Sequence, residues 1–261
     1  MSGAEAVGPV TELLTPHASR ARPWHAGPEA TARDLAALRF VGEQYAARLD
    51  VLAVVLGRLS PGRLRAAGRL GDRTVRQRVE RWEAVGWAVR RRMLGHTWVL
   101  ATRAGLRLAG LDFDPWTPAL DRLAHHHAAA VVRLHREPIP SQGGWVSERE
   151  LWRRRGKASW HLADAALPAA VPAGWQGIDQ AWELVEVELH QKARPRLVAA
   201  LRTRAPHTAA ITYYVPAALH SALLAQLASA VRELGGRPEV AVEPLPQVSG
   251  VSCLPEQGGA A

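Results

Sequence analysis

The sequence predicts an α/β chain, α+β overall, in which a helical unit closed by a β-hairpin precedes a region where strands and helices alternate around one sheet. Three observations carry that expectation. Between Asp34 and Val85 the apolar residues recur at helical spacing, Trp87 to Leu100 reads as two extended runs around a Leu94-Gly95-His96 turn, and beyond Trp145 short extended and helical runs take turns.

The first thirty residues, with Pro16, Pro23, Gly27 and Pro28, lack a sustained apolar period and are expected to form a flexible arm (1–30). Leu35, Leu38, Phe40 or Val41 and Tyr45 suit a first helix, and Leu49, Leu52, Val55 and Leu56 a second, which ends at Ser60-Pro61-Gly62. Asp72 is the candidate N-cap of a third helix running to about Val85, with Gly86 as its stop. At 100° per residue, Val75, Val79 and Trp82 share one face of that helix, while Arg73, Arg76, Gln77, Glu80 and Arg81 lie broadly opposite. The hairpin follows, and a short helix from Arg103 to Leu108 closes a first domain over 31–111.

A Pro- and Trp-containing segment leads into a helix over Ala119 to Glu137, ended by Pro138 and Pro140, so residues 112–140 read as a connector. Next come an extended Trp145 to Ser147, a helix over Glu148 to Arg154 and an extended Trp160 to Leu167. Strands are expected at Trp182 to His190, His207 to Val215 and Glu239 to Val242, and helices at Arg194 to Arg204 and Ala217 to Leu234. This second domain covers 141–244, and the Pro- and Gly-containing remainder, 245–261, reads as a flexible tail.

Composition narrows the function classes. A formal net charge of +9 predicts attraction to polyanions, with nucleic acid or an acidic membrane surface as the candidates. Nearly all the positive charge is arginine, because lysine occurs only at Lys157 and Lys192; with the abundant alanine this reflects a high-GC genome as much as a function. The single cysteine, Cys253, excludes a disulfide framework or a cysteine-based zinc site, and no apolar run is long enough to span a bilayer. A cytoplasmic protein with no membrane partner is expected.

Three helices followed by a hairpin is the layout of a winged helix-turn-helix, whose third helix enters the major groove while the wing touches the backbone or minor groove. Arg73, Arg76, Gln77 and Arg81 suit base or phosphate contact, and Arg90, Arg91 and Arg92 would sit in the wing. Double-stranded DNA is thus the expected partner. A solvated helix face, or a module for dimerisation or protein docking, would have the same pattern.

In Trp182-Glu183-Leu184-Val185-Glu186-Val187-Glu188-Leu189-His190, strand alternation puts Glu186, Glu188 and His190 on one face and Val185, Val187 and Leu189 on the other. The carboxylates form either a polar cleft wall or the solvated face of a half-buried strand. His125, His126 and His127 diverge by about 100° per residue on a helix and cannot all ligate one ion, so they are expected as surface and inter-domain contacts. Tyr213 and Tyr214 are expected in the core, as are Trp82, Trp87 and Trp98.

The runs DLAALRFVGEQYAARL (Asp34 to Leu49), RVERWEAVGW (Arg78 to Trp87), LATRAG (Leu100 to Gly105), LDRLAH (Leu120 to His125), WVSEREL (Trp145 to Leu151) and Glu186-Val187-Glu188 resemble the actinobacterial replication-relaxation family of plasmid and mobile-element proteins. The resemblance covers most of Asp34 to Leu234. It implies a winged helix joined to a restriction-endonuclease-like, degenerate PD-(D/E)xK domain, and a DNA-binding accessory role in plasmid replication or DNA relaxation. Partners would include a second copy of the chain or replication and conjugation proteins.

In the PD-(D/E)xK pattern an aspartate and a second acid hold Mg²⁺, and a lysine two residues on helps activate water. Asp164 resembles the first acid and Glu186 the second, so these two would be the metal ligands and Asp164, Glu186, Glu188 and Lys192 the catalytic set. The chain departs from the pattern twice: Ala163 replaces the usual proline and Glu188 the usual lysine. Lys192 stands where it would supply the missing positive charge; a lysine at a solvated helix start would look the same. The fold is therefore expected with a site that is degenerate, the alternatives being an active Mg²⁺-dependent endonuclease and a transcriptional regulator or interaction module.

Overall fold

A computed structural model describes residues 30–60, 68–137, 139–140, 144–155, 163–169, 182–204, 208–235 and 238–253. The expectations for the arm before residue 30, the Pro61-Gly62 break, the start of the Trp160 strand and His207 lie outside them. Among the described residues the chain is mixed α and β, and no helix is long and apolar enough to cross a membrane.

Helix α1 spans Ala32–Glu43 and opens on a capping box: the Thr31 hydroxyl accepts from the Asp34 amide while Asp34 accepts from the Thr31 amide. The same carboxylate accepts from Arg78 at 2.7 Å and from the Trp82 indole at 2.8 Å, which ties α1 to α3. Tyr45, expected as a helical anchor, lies past the end of α1 with φ 67°. A two-residue strand β1 (Ala47–Arg48) follows, then α2 (Leu49–Arg58) and α3 (Asp72–Ala84). Gly71, rather than Asp72, holds the N-cap position of α3. Val75, Val79 and Trp82 are buried, whereas Arg73, Arg76, Gln77, Glu80 and Arg81 are exposed, as the periodicity requires.

Strands β2 (Ala88–Met93) and β3 (His96–Ala101) form the hairpin around Leu94 and Gly95, both at positive φ as a two-residue turn of this hand demands. β1 adds to β3, giving the order β1-β3-β2, and α4 (Arg103–Leu108) closes the unit. Gly105 packs against the Trp87 carbonyl so tightly that a Cβ there would lie 1.9 Å from its oxygen.

After a 3-10 turn at Leu120–Arg122, α5 runs from Leu123 to Arg136. Strand β4 (Val146–Ser147), helix α6 (Glu148–Arg155), β5 (Ala165–Pro168), β6 (Trp182–Val187), α7 (Arg194–Arg204), β7 (Ala210–Val215), α8 (Ala217–Glu233) and β8 (Glu239–Pro244) follow. Their sheet has the order β4-β5-β6-β7-β8, antiparallel from β4 to β6 and parallel from β6 to β8. Helices α7 and α8 are the crossovers that parallel pairing requires.

One apolar cluster joins Leu38, Leu52 and Val79 to Val131 and Val132 of α5 and to Val185, Val187 and Tyr214 of the sheet. The helix expected as a connector therefore supplies the middle of the core. On the other sheet face a second cluster packs Leu197 and Leu201 of α7 and Leu223 and Leu227 of α8 against Ile211 and Tyr213.

Two further expectations are corrected. The residues after 244 do not form a wholly flexible tail: β9 (Gln247–Val248) and β10 (Val251–Ser252) pair as a hairpin that buries Val248, Val251 and Cys253 against α5. These apolar residues have a surface to cover, which the Pro and Gly content around them conceals. Strand β6 ends at Val187, before His190, and His190 is exposed beyond it.

Candidate functional site

The acidic residues meet because of strand register. Ala165 pairs with Val185 across the antiparallel β5–β6 ladder, so one step back along β5 and one step forward along β6 bring Asp164 beside Glu186. Glu186 in turn stands next to Tyr213 across the parallel β6–β7 pair. The cluster lies at the carboxyl ends of β6 and β7, where open α/β sheets commonly present a crevice.

Neither glutamate is a solvated strand residue. Glu186 is 4% and Glu188 7% exposed, because β6 is an inner strand covered by α5 on one face and by α7 and α8 on the other. Each carboxylate has a basic partner. Asp164 Oδ1 lies 2.8 Å from His125 Nε2 of α5, and Asp164 Oδ2 accepts the Val187 amide at 2.7 Å. Arg204, at the end of α7, reaches Glu186 Oε1 at 2.8 Å. Lys192 Nζ donates to Glu188 and stands 4.0 Å from Glu186. Lys192 thus joins the cluster from the stretch just before α7.

Burial governs the charge states. Desolvation opposes ionisation of Asp164, but the His125 charge and hydrogen bond and the Val187 amide hold its carboxyl below the usual range. Burial pushes Glu186 up against the attraction of Arg204, with Asp164 and Glu188 adding repulsion, and it raises Glu188 as well. His125 is desolvated, which by itself would lower it, yet Asp164 brings it up to about 9.

A fourth acid and a third basic residue were not singled out in the sequence. Glu148, at the start of α6, donates its amide to the Asp164 carbonyl at 3.0 Å, and burial followed by the Asp164 charge raises its carboxyl. Glu148 also interacts with the Tyr45 hydroxyl, bringing the α1–β1 junction to the cluster. Arg204 sits among many arginines in the sequence and has no motif spacing to mark it.

The three consecutive histidines separate as helical geometry demands, but two of them are not surface residues. His126 is buried between Tyr45 and Trp116, with centroid separations of 4.4 and 5.0 Å, and burial lowers it to about 3. His127 is buried with Nε2 2.7 Å from the Ser252 carbonyl oxygen, fastening the terminal hairpin to α5. Tyr213 and Tyr214 are buried as expected, as are Trp82 and Trp98; Trp87 is half-buried.

Among the described residues no group of three His, Cys, Asp or Glu side chains has the arrangement of a metal site. The contacts explain why: Asp164 uses both oxygens on His125 and Val187, while Glu186 and Glu188 face Arg204 and Lys192. Mg²⁺ needs near-ideal octahedral oxygen ligation, which carboxylates already closed on cations do not offer. In this arrangement the donors do not fit that ion.

The remaining site residues lie on the first unit. Arg73, Arg76, Gln77 and Arg81 share the exposed face of α3. Arg91 and Arg92 are exposed on β2, whereas Arg90 turns back to Glu83 at 2.7 Å and Glu80 at 3.3 Å. Arg90 therefore braces the hairpin against α3. Comparison of the chain with protein-family models, with curated proteins and with solved structures finds no match.

Proposed function

We propose that this chain is a DNA-binding accessory protein, in which the unit of residues 31–111 acts as a winged helix-turn-helix on duplex DNA and the sheet domain is a nuclease-like scaffold that does not cleave. One observation carries the reading: the exposed face of α3 presents Arg73, Arg76, Gln77 and Arg81 beside the exposed Arg91 and Arg92 of the hairpin. Val75, Val79 and Trp82 anchor the opposite face in the core, so the arginine face is held on a rigid element. Arginine there suits both phosphate contact and bidentate reading of guanine.

The ion pairs of the acidic cluster support the non-cleaving part. Glu188 replaces the usual lysine, Lys192 is spent on Glu188, and Arg204 is spent on Glu186. The order of strands and the mixed pairing agree with the restriction-endonuclease-like domain that the replication-relaxation resemblance implies.

Duplex binding measured by fluorescence anisotropy should weaken steeply between about 50 and 200 mM salt, as counterion release requires. Arg73→Ala with Arg76→Ala should reduce affinity by about tenfold or more, the loss of one to two contacts worth about 1.4 kcal/mol each. Supercoiled plasmid incubated with Mg²⁺ or Mn²⁺ should remain unnicked. Nicking that vanishes in Glu186→Ala would replace this reading with an active endonuclease, and unaltered affinity in the double variant would remove α3 from the interface.

A further inference from the structure

A cleft of about 230 Å³ opens between the start of α2, the start of α3 and the tip of the β2–β3 hairpin. Its walls carry Arg48, Arg69, Arg76, Arg92, His96 and Thr97. Two carboxylates also line it, and each is neutralised within the cleft: Asp50 by Arg48 at 2.5 Å and Asp72 by Arg69 at 2.7 Å. Arg76 and Arg92 make no ion pair among the described residues, so with the two acids cancelled the cleft retains two guanidinium charges, one from α3 and one from the hairpin.

We infer that this cleft seats a phosphate group, a phosphodiester of the duplex backbone, between Arg76 and Arg92. A phosphodiester carries one negative charge and two unesterified oxygens, which two forked guanidinium groups satisfy. The Thr97 hydroxyl and the His96 ring border the same space. Thr97 pairs with Arg92 across the hairpin, so the arginine is fixed in register on a strand and does not sit on a mobile tip. The first turn of α3, whose N-cap Gly71 supplies no side-chain acceptor, borders the cleft at Asp72 and Val75, and the helix dipole there adds to the positive potential.

The assignment rests on the duplex-binding reading and adds a division of labour. Arg73, Gln77 and Arg81 face outward along α3, whereas Arg76 is shared between that face and the cleft. A phosphate gripped at once by the helix and the hairpin sets the register of α3 on the duplex without carrying sequence information.

Two measurements on the full chain decide it. In anisotropy titrations over a salt series, Arg92→Ala should lower the magnitude of the slope of log affinity against log salt by about 0.9, the value for one phosphate contact. The loss should be equal on duplexes of unrelated sequence. Arg202→Ala, which removes an exposed charge from α7, should leave the slope unchanged. Separately, inorganic phosphate should shift the His96 imidazole resonances, and Arg76→Ala with Arg92→Ala should abolish that shift. These residues are exposed, so alanine leaves the fold intact, and circular dichroism verifies it.

A lowered slope in Arg92→Ala upholds the assignment whether or not free phosphate binds. An unchanged slope overturns it: if phosphate still moves His96, the cleft takes a free phosphate compound, and if it does not, the cleft takes no anion. Should the wild-type chain bind no duplex at all while phosphate moves His96, the duplex-binding reading falls and the cleft stands as an anion site with another source of phosphate. No duplex binding and no shift removes both.

Discussion

Arg204 Nη2 lies 2.8 Å from Glu186 Oε1, with the two side chains 7% and 5% exposed, so the carboxylate at the centre of the acidic cluster is closed by a guanidinium from the last turn of α7. Arg204→Met should destabilise the chain by about 1–3 kcal/mol, since it leaves the buried Glu186 carboxyl beside Asp164 and Glu188 without its nearest partner. Arg204→Met combined with Glu186→Leu should recover most of that loss, because a buried pair replaced by apolar groups of similar size costs little. Urea denaturation of the two variants measures both quantities. If the double variant is no more stable than the single one, the arginine holds the site through contacts other than Glu186.

His125 and Asp164 predict opposite limbs of a pH profile. Burial works against the charged imidazole, but Asp164 raises it from 6.5 to about 9, so its contribution is complete below pH 6.5 and is lost as the pH rises through 9. Asp164 is lowered, despite burial, by His125 and the Val187 amide; its contribution holds above its ordinary value of 3.8 and is lost on further acidification. His125→Gln should cost about 1–2 kcal/mol near neutrality, allowing for solvent screening of a partly exposed pair, and should flatten the fall in stability between pH 6.5 and 9. An alkaline limb as steep as that of the wild type would dissociate the pair from the profile.

His126 acts in the other direction. Its ring is buried neutral between Tyr45 and Trp116, and burial lowers it from 6.5 to about 3. The unfolded chain takes up a proton that the folded chain refuses, so stability should fall as the pH drops from 6.5 towards 3. His126→Phe keeps a ring in the aromatic stack and should remove this part of the acid limb. A denaturation midpoint with unaltered acid dependence in His126→Phe would show that other groups set it.

Asp34→Ala should be among the most costly single substitutions in the first unit. It removes the capping box of α1 and leaves the buried Trp82 indole and the Arg78 guanidinium without their shared acceptor. About 2–4 kcal/mol is expected, against about 1 kcal/mol for Thr31→Ala, which removes only the cap. Thermal unfolding of the two variants gives the comparison; equal losses would confine the role of Asp34 to the cap.

Gly105→Ala tests the closing turn of the same unit. The added Cβ would lie 1.9 Å from the Trp87 carbonyl oxygen, which is already held by the Thr102 amide at 3.0 Å and cannot retreat without opening the hairpin. Destabilisation of about 1–3 kcal/mol or more is expected, together with weaker duplex binding as the hairpin shifts against α3. Wild-type stability would mean that α4 moves away at no cost.

Local patterning was enough for the longer helices and for the β2–β3 hairpin. The spacing of Val75, Val79 and Trp82 sets the buried face of α3 and leaves its arginines outside; Leu94-Gly95 places the hairpin turn; and the two crossover helices follow from apolar periodicity between β-rich runs. Each of these depends on neighbours within a turn or a strand, and such interactions are written in order along the chain. The alternation around Glu186 was equally legible, but it left open whether that face met water.

Only the tertiary structure decided what surrounds the carboxylates. That β6 is an inner strand depends on β5 and β7, which lie well away from it on either side in the sequence, and its inner position is what buries Glu186 and Glu188. His125, Glu148 and Arg204 reach the cluster from three separate helices, and no spacing in the sequence relates them. The terminal hairpin was hidden for the same reason, since Val248, Val251 and Cys253 acquire a core to cover only once α5 is in place more than a hundred residues earlier in the chain. Residue chemistry and local period come from the sequence alone, whereas the burial that raises an acid and the cation that opposes it are properties of the assembled layers.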